Sequence, residues 1–116
     1  MTKPLNPPLK WAGGKRLLVP TLKPYYDKFQ HCRLVEPFCG GLAVALGLQP
    51  ERAMLNDLNP HLMNFYLWLQ NGLEFEIEAK NEKEFYYAKR NEFNLLSIPL
   101  DNQSHSPLAA QLWWYL

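Results

Sequence analysis

The segment from Arg33 to Asp57 constrains the fold more than any other part of this chain. Arg33-Leu34-Val35-Glu36 is a short apolar run stopped by Pro37, Gly40-Gly41 supplies a tight turn, and Leu42 to Leu48 is compactly apolar. Arg52-Ala53-Met54-Leu55-Asn56-Asp57 is a second short run with an acid at its end. In order, these read as a strand, a helix and a second strand. Strands joined through a helix lie parallel, because the crossover returns the chain to the same end of the sheet. Parallel sheets are covered on both faces, and two short strands do not build one alone. The expected class is α/β with an incomplete sheet.

The flanks read mostly as helices. The first eight residues hold three prolines and are expected to form an extended arm. Lys15 to Tyr26 has helical spacing, but Pro20 and Pro24 are expected to break or kink it. Pro60 suits a first helical turn, with Asn59 or Asp57 as cap and Asn71-Gly72 as stop. Leu62, Phe65, Tyr66 and Leu69 recur there at i, i+3, i+4 and i+7. A helix from about Asn81 to Leu95 is expected to bury Phe85, Tyr86 and Phe93. A last helix starts near Pro107, capped by Ser106, and ends in Trp113-Trp114-Tyr115-Leu116. Large apolar side chains contribute roughly 1.5–3 kcal/mol each on full burial, so this last turn needs a partner surface. The expectation is a truncated chain or a missing second polypeptide.

With 116 residues, 47% hydrophobic and 20% charged, the chain permits one small domain at most. No run of about 18 apolar residues exists to span a bilayer as a helix. The opening Met1-Thr2-Lys3-Pro4 does not read as a secretory signal, and the expected location is the cytoplasm. Cys32 and Cys39 match neither a redox CxxC nor a zinc spacing and read as free thiols. His31, His61 and His105 are scattered, so no metal site is expected. Net charge is +1, yet residues 1–33 hold seven basic residues against the single acid Asp27. That basic front end suits phosphates, or is simply solvated surface.

Three constellations carry chemistry. In Lys10-Trp11-Ala12-Gly13-Gly14-Lys15 the glycines admit a ligand to the backbone, Trp11 offers a flat apolar face and Lys15 a cation for a carboxylate. Alone, it reads equally as a turn before a helix. Val35-Glu36-Pro37-Phe38-Cys39-Gly40-Gly41-Leu42-Ala43-Val44 runs a strand into a glycine turn that opens a helix, the layout of mononucleotide-type sites. Its glycine spacing is not that of a GxGxxG dinucleotide fingerprint. In Leu55-Asn56-Asp57-Leu58-Asn59-Pro60, the acid at a strand's carboxyl end suits a ribose diol. An ordinary helix cap is its plain alternative.

In this order and spacing, the three constellations resemble the DNA adenine methylase family, the amino-methyltransferases of restriction–modification and related systems. The resemblance is strong over residues 10–66. It continues more loosely through Phe85-Tyr86-Tyr87-Ala88-Lys89-Arg90-Asn91-Glu92-Phe93-Asn94 and Leu112 to Leu116. It implies the N-terminal part of a Rossmann-like, S-adenosylmethionine-dependent methyltransferase fold. Residues 1–71 would be the donor-binding part, and 72–116 the start of a helical region that recognises double-stranded DNA. By the same resemblance Trp11 and Lys15 line the methyl-donor site, Phe38, Cys39 and Gly40 form the loop against which the donor lies, and Glu36 is a further donor-binding residue. Asp57 accepts from the ribose hydroxyls, and Lys10, Lys89 and Arg90 meet DNA.

Two features depart from the family pattern. Many relatives carry glycine where Leu42 stands. The family's Asp-Pro-Pro-Tyr motif is absent, since the single Pro-Pro, Pro7-Pro8, follows Asn6 and precedes Leu9. In such enzymes the adenine leaves the helical stack and that tetrad grips its amino group. The 116 residues therefore have no assigned catalytic residue. By themselves they are expected not to methylate DNA, to be poorly stable and to bind the donor weakly. Rival readings are a non-catalytic donor-binding module, a generic nucleotide-binding domain and an aromatic-rich interaction domain.

Overall fold

The computed structural model describes residues 3, 5–96 and 106–116. Two strands and five α-helices are ordered along them: α1 Val19–Tyr26, β1 Leu34–Glu36, α2 Ala43–Leu48, β2 Ala53–Leu55, α3 Pro60–Gln70, α4 Lys83–Leu96 and α5 Pro107–Tyr115. They form two compact units, Met1–Leu58 and Asn59–Leu116. The class is mixed helix and strand, as the sequence indicates.

In the first unit β1 and β2 pair in parallel, Leu34 opposite Ala53, Val35 opposite Met54 and Glu36 opposite Leu55. α2 is the crossover between them. The helix predicted over 15–26 resolves into a 3-10 turn, Arg16–Leu18, followed by α1. Pro20 does not break it, because it lies in the first turn of α1, where amides have no intrahelical acceptor. Pro24 is accommodated inside the helix, just before α1 gives way to a second 3-10 turn, Asp27–Phe29. α1 lies against α2 because Gly47 has no side chain: a Cβ there would stand 2.7 Å from both methyls of the buried Val19. The arm is described at Lys3 and from Leu5 onward and is non-helical there, and its Lys3 carbonyl accepts from the Gln49 side chain at 2.9 Å. The rest of the expected arm lies outside the described residues.

The second unit packs α5 against α3 and α4. Asn59, not Asp57, caps α3: its side-chain oxygen accepts from the His61 amide at 3.0 Å and the Leu62 amide at 3.4 Å. Ser106 caps α5, accepting from Ala109 at 3.1 Å. Leu62, Phe65 and Leu112 are fully buried. Phe93 is buried as expected and Phe85 is half-buried, but Tyr86 is exposed. On α4 it falls one residue past Phe85, about 100° around a 3.6-residue helix and off the packed face. The terminal aromatics find partners within this unit. Trp113 lies 5.2 Å from His61 and 5.8 Å from Phe93, Trp114 4.7 Å from Phe75 and Tyr115 5.4 Å from Phe85, ring centre to ring centre. The Tyr115 hydroxyl also donates to the Lys80 carbonyl at 2.7 Å. No helix among the described residues is long and apolar enough to cross a membrane.

Candidate functional site

The candidate site is built where both strands of the first unit end. Beyond Glu36 the ladder continues by one bond, from the Asn56 amide to the Glu36 carbonyl at 2.9 Å. The turn that follows is then pinned to the second strand's end. The Cys39 amide donates to the Asn56 carbonyl at 2.8 Å, and the Asn56 side chain to the Pro37 carbonyl at 3.2 Å. The Gly40 amide donates to the Asp57 carboxylate at 3.0 Å. Every bond here joins residues about twenty apart in sequence, so the elbow exists only once the parallel pair has formed.

Trp11 lies over this elbow, which explains the glycines. Gly40 adopts a positive φ of 51°, and a Cβ there would sit 3.2 Å from the indole Cδ1. At Gly41 a Cβ would approach the Trp11 Cβ to 2.8 Å, closer than real contacts allow. Leu42 follows with φ 66°, a left-handed conformation that costs an L-residue roughly 1–2 kcal/mol. This is the position where glycine is expected from the family pattern, and the backbone keeps the glycine-like conformation with leucine in place.

Trp11, Lys15, Glu36, Phe38, Cys39, Gly40 and Asp57 all line one cleft of about 170 Å³. Lys10 lines a neighbouring cleft of about 310 Å³ that shares Trp11, Gly14 and Gly41. The walls divide by chemistry. Phe38 is 86% exposed and, with Trp11, gives an apolar edge, while Lys15 supplies a cation and Glu36 and Asp57 supply carboxylates. Burial holds the Glu36 carboxyl above the usual carboxylate range, against the opposing effect of a hydrogen bond from the Ala45 backbone. Its Oε2 is enclosed and has no hydrogen-bond partner among the described residues. Burial, then the charges of Asp57 and Glu36, push the Cys39 thiol up to about 11. The thiol is therefore a small neutral wall of the cleft at physiological pH.

Residues 11–116 match the model of the D12 class N6 adenine-specific DNA methyltransferases. The chain belongs to that family. It is similar to the DNA adenine methylase of Haemophilus influenzae, 36% identical over 105 residues, covering 83% of this chain and 36% of that protein. It is 42% identical over 94 residues to the DNA adenine methylase of Vibrio cholerae, covering 74% and 33%. It is 37% identical over 94 residues to the type II methyltransferase M1.LlaDCHI of Lactococcus lactis, covering 75% and 32%. The chain spans about a third of the length of these relatives.

Lys89 and Arg90 of this D12 methyltransferase chain lie on α4 in the second unit, in different settings. The Lys89 ammonium donates to Glu92 at 3.0 Å and lies 5.5 Å from the Phe85 ring centre. Arg90 is exposed and stacks its guanidinium 4.7 Å over Tyr87. Beside the cleft, Asn56, quoted in the third constellation without a role, holds the elbow through its amide, carbonyl and side chain. Its place directly before Asp57 was the available signal.

Proposed function

We propose that this chain is the donor-binding part of a site-specific DNA adenine-N6 methyltransferase that uses S-adenosylmethionine. It would be a cytoplasmic enzyme of a restriction–modification system. The carrying observation is that residues from three separate segments, 10–15, 35–44 and 55–60, line one cleft in the first unit. The proposed fold is the N-terminal part of a Rossmann-like methyltransferase domain. Residues 1–71 serve the donor, and 72–116 begin the helical region that recognises the target.

The residues fit that cosubstrate by chemistry. It carries a carboxylate, a primary ammonium, a sulfonium, a ribose diol and a purine. Lys15 pairs with the carboxylate. Glu36, with an enclosed and unpartnered oxygen, is suited to the cationic end. Asp57, whose Oδ2 also accepts from the Gly40 amide, presents a carboxylate suited to the diol. Trp11 and Phe38 give flat apolar faces, and the glycines and Cys39 keep the floor small and neutral. Clefts for ligands of this size run roughly 300–1,000 Å³, so a cleft of about 170 Å³ holds part of the molecule.

When bound, the cosubstrate supplies an electrophilic methyl group. The chain's own contribution is orientation, the part of catalysis that converts a bimolecular encounter into a positioned one. No residue of the chain grips the adenine, because the Asp-Pro-Pro-Tyr tetrad is absent from its sequence. The working enzyme therefore draws on further polypeptide, either more of the same protein or a second chain. Double-stranded DNA is the proposed substrate, with Lys10, Lys89 and Arg90 on its side.

Ultraviolet crosslinking with methyl-tritiated S-adenosylmethionine tests donor binding even where affinity is low. The 116-residue chain should be labelled, and Lys15→Gln or Asp57→Asn should lower labelling at least severalfold. Labelling that ignores both substitutions would refute the assigned site. A radiolabelled methyl-transfer assay on unmethylated DNA should show no turnover by the chain alone.

A further inference from the structure

We propose that Gln49 is a positioning residue for the donor cleft, acting through the N-terminal arm and Trp11. The inference rests on the donor-binding reading and adds to it a residue that lines none of that cleft.

The backbone at Gln49 gives the first reason. Gln49 ends α2 with φ 50° and ψ 57°, and its amide donates to the Ala45 carbonyl. A helix that ends in a left-handed residue usually places glycine or asparagine there, because a side chain is strained in that conformation. Glutamine keeps the strain and adds a long amide. That amide is used: its Nε2 donates to the Lys3 carbonyl at 2.9 Å, across 46 residues of chain.

This bond fastens one end of the arm, and the other end lies at the elbow. A Cβ on Gly41, just ahead of α2, would stand 4.0 Å from the Leu9 carbonyl oxygen and 2.8 Å from the Trp11 Cβ. Asn6, Pro7 and Leu9 line the cleft of about 310 Å³ that also has Trp11, Gly41 and Ala43 in its walls. The arm therefore follows α2 from its C-terminal end to the turn that precedes it. Eight residues of helix rise about 12 Å, and six extended residues reach about 19 Å, enough to cover that run. Pro7-Pro8 fix two of the arm's φ angles, which makes it a stiff strap and not a loose tail. Trp11 follows two residues after Leu9. Fastening the strap at Gln49 limits how far the indole can lift from Gly40 and Gly41, and that indole is a wall of the donor cleft.

The test combines two readouts on the 116-residue chain. Fluorine NMR with 5-fluorotryptophan reports all four tryptophans, with the Trp11 signal assigned by Trp11→Phe. Trp68, Trp113 and Trp114 belong to the second unit and serve as internal controls. Gln49→Met keeps the length and neutrality of the side chain and removes its donor. It should shift the Trp11 signal alone and lower crosslinking to methyl-tritiated S-adenosylmethionine severalfold. Gln49→Lys restores a donor of similar reach and should return both readouts towards the unaltered chain. Gln49→Gly relieves the left-handed strain, so it should melt no lower than the unaltered chain and still label severalfold less. An unmoved Trp11 signal in Gln49→Met, a shift of all four signals together, unchanged labelling, or a Gln49→Gly chain that loses stability in step with labelling overturns the proposal. An unmoved Trp11 signal with labelling intact removes the strap alone, whereas no labelling of the unaltered chain removes the donor-binding reading and the positioning role with it.

Discussion

The Asp57 carboxylate accepts a hydrogen bond from the Gly40 amide at 3.0 Å across seventeen residues of chain. One acid at the end of β2 thereby holds in shape the elbow at the end of β1. Its proposed ligand role and its structural role use the same carboxylate. Asp57→Ala should cost about 1–3 kcal/mol in urea denaturation, because a part-buried amide loses its acceptor. Asp57→Asn keeps an oxygen acceptor and should cost less than half of that. Equal losses in the two variants would mean that the charge, not the amide bond, matters for stability.

Leu42 offers a test of backbone strain. With φ at 66°, the position favours glycine, while the half-buried side chain favours leucine. Truncation to alanine loses the packing and keeps the strain. Leu42→Gly loses the packing and relieves it. Leu42→Gly should therefore be more stable than Leu42→Ala by about 1 kcal/mol, the reverse of their order inside a helix. Thermal melts of the two variants decide this.

Cys39 and Cys32 should separate cleanly by alkylation. Only the thiolate reacts, and with the Cys39 thiol pushed up to about 11, roughly one molecule in a thousand is ionised at pH 8. Cys32 is exposed and Cys39 buried. Iodoacetamide at pH 8, followed by peptide mass mapping, should modify Cys32 first and Cys39 at least tenfold more slowly.

His61 makes the second unit sensitive to acid. Burial lowers its affinity for a proton below the ordinary value of 6.5, with its ring 5.0 Å from Phe93 and 5.2 Å from Trp113. Below that ordinary value the unfolded chain binds the proton more readily than the folded one. The contribution is thus complete above about pH 6.5 and declines as pH falls through the lowered folded value. His61→Phe should flatten the pH dependence of stability between pH 7 and 5, measured by chemical denaturation. A dependence unchanged in the variant would assign it to other groups.

The elements were readable where their signals are local. Pro60 with Asn59, Pro107 with Ser106, and the strands on either side of Gly40-Gly41 announce themselves within a few residues. The residues that line the cleft were readable for the same reason, since each of the three segments carries its own side chains. What was not readable depends on tertiary approach. Asp57 reads as a cap or a ligand residue until the parallel pairing brings it under Gly40. Leu42 stands where the family pattern has glycine, but its left-handed φ of 66° is set only in the folded turn. The terminal tryptophans read as unpartnered because His61, Phe75 and Phe93 lie far from them in sequence and meet them only through the packing of the second unit.

Gly47 touches none of the cleft, yet it sets how near α1 comes to α2, with Val19 filling the space a methyl group would need. The 3-10 turn that starts α1 begins one residue after Lys15. A side chain at position 47 would push on a rod whose near end carries that ammonium group. Under the proposed donor role of the cleft, drift in affinity would therefore originate at a residue that no ligand-contact survey would select, and screens for altered binding should include the back of the crossover helix.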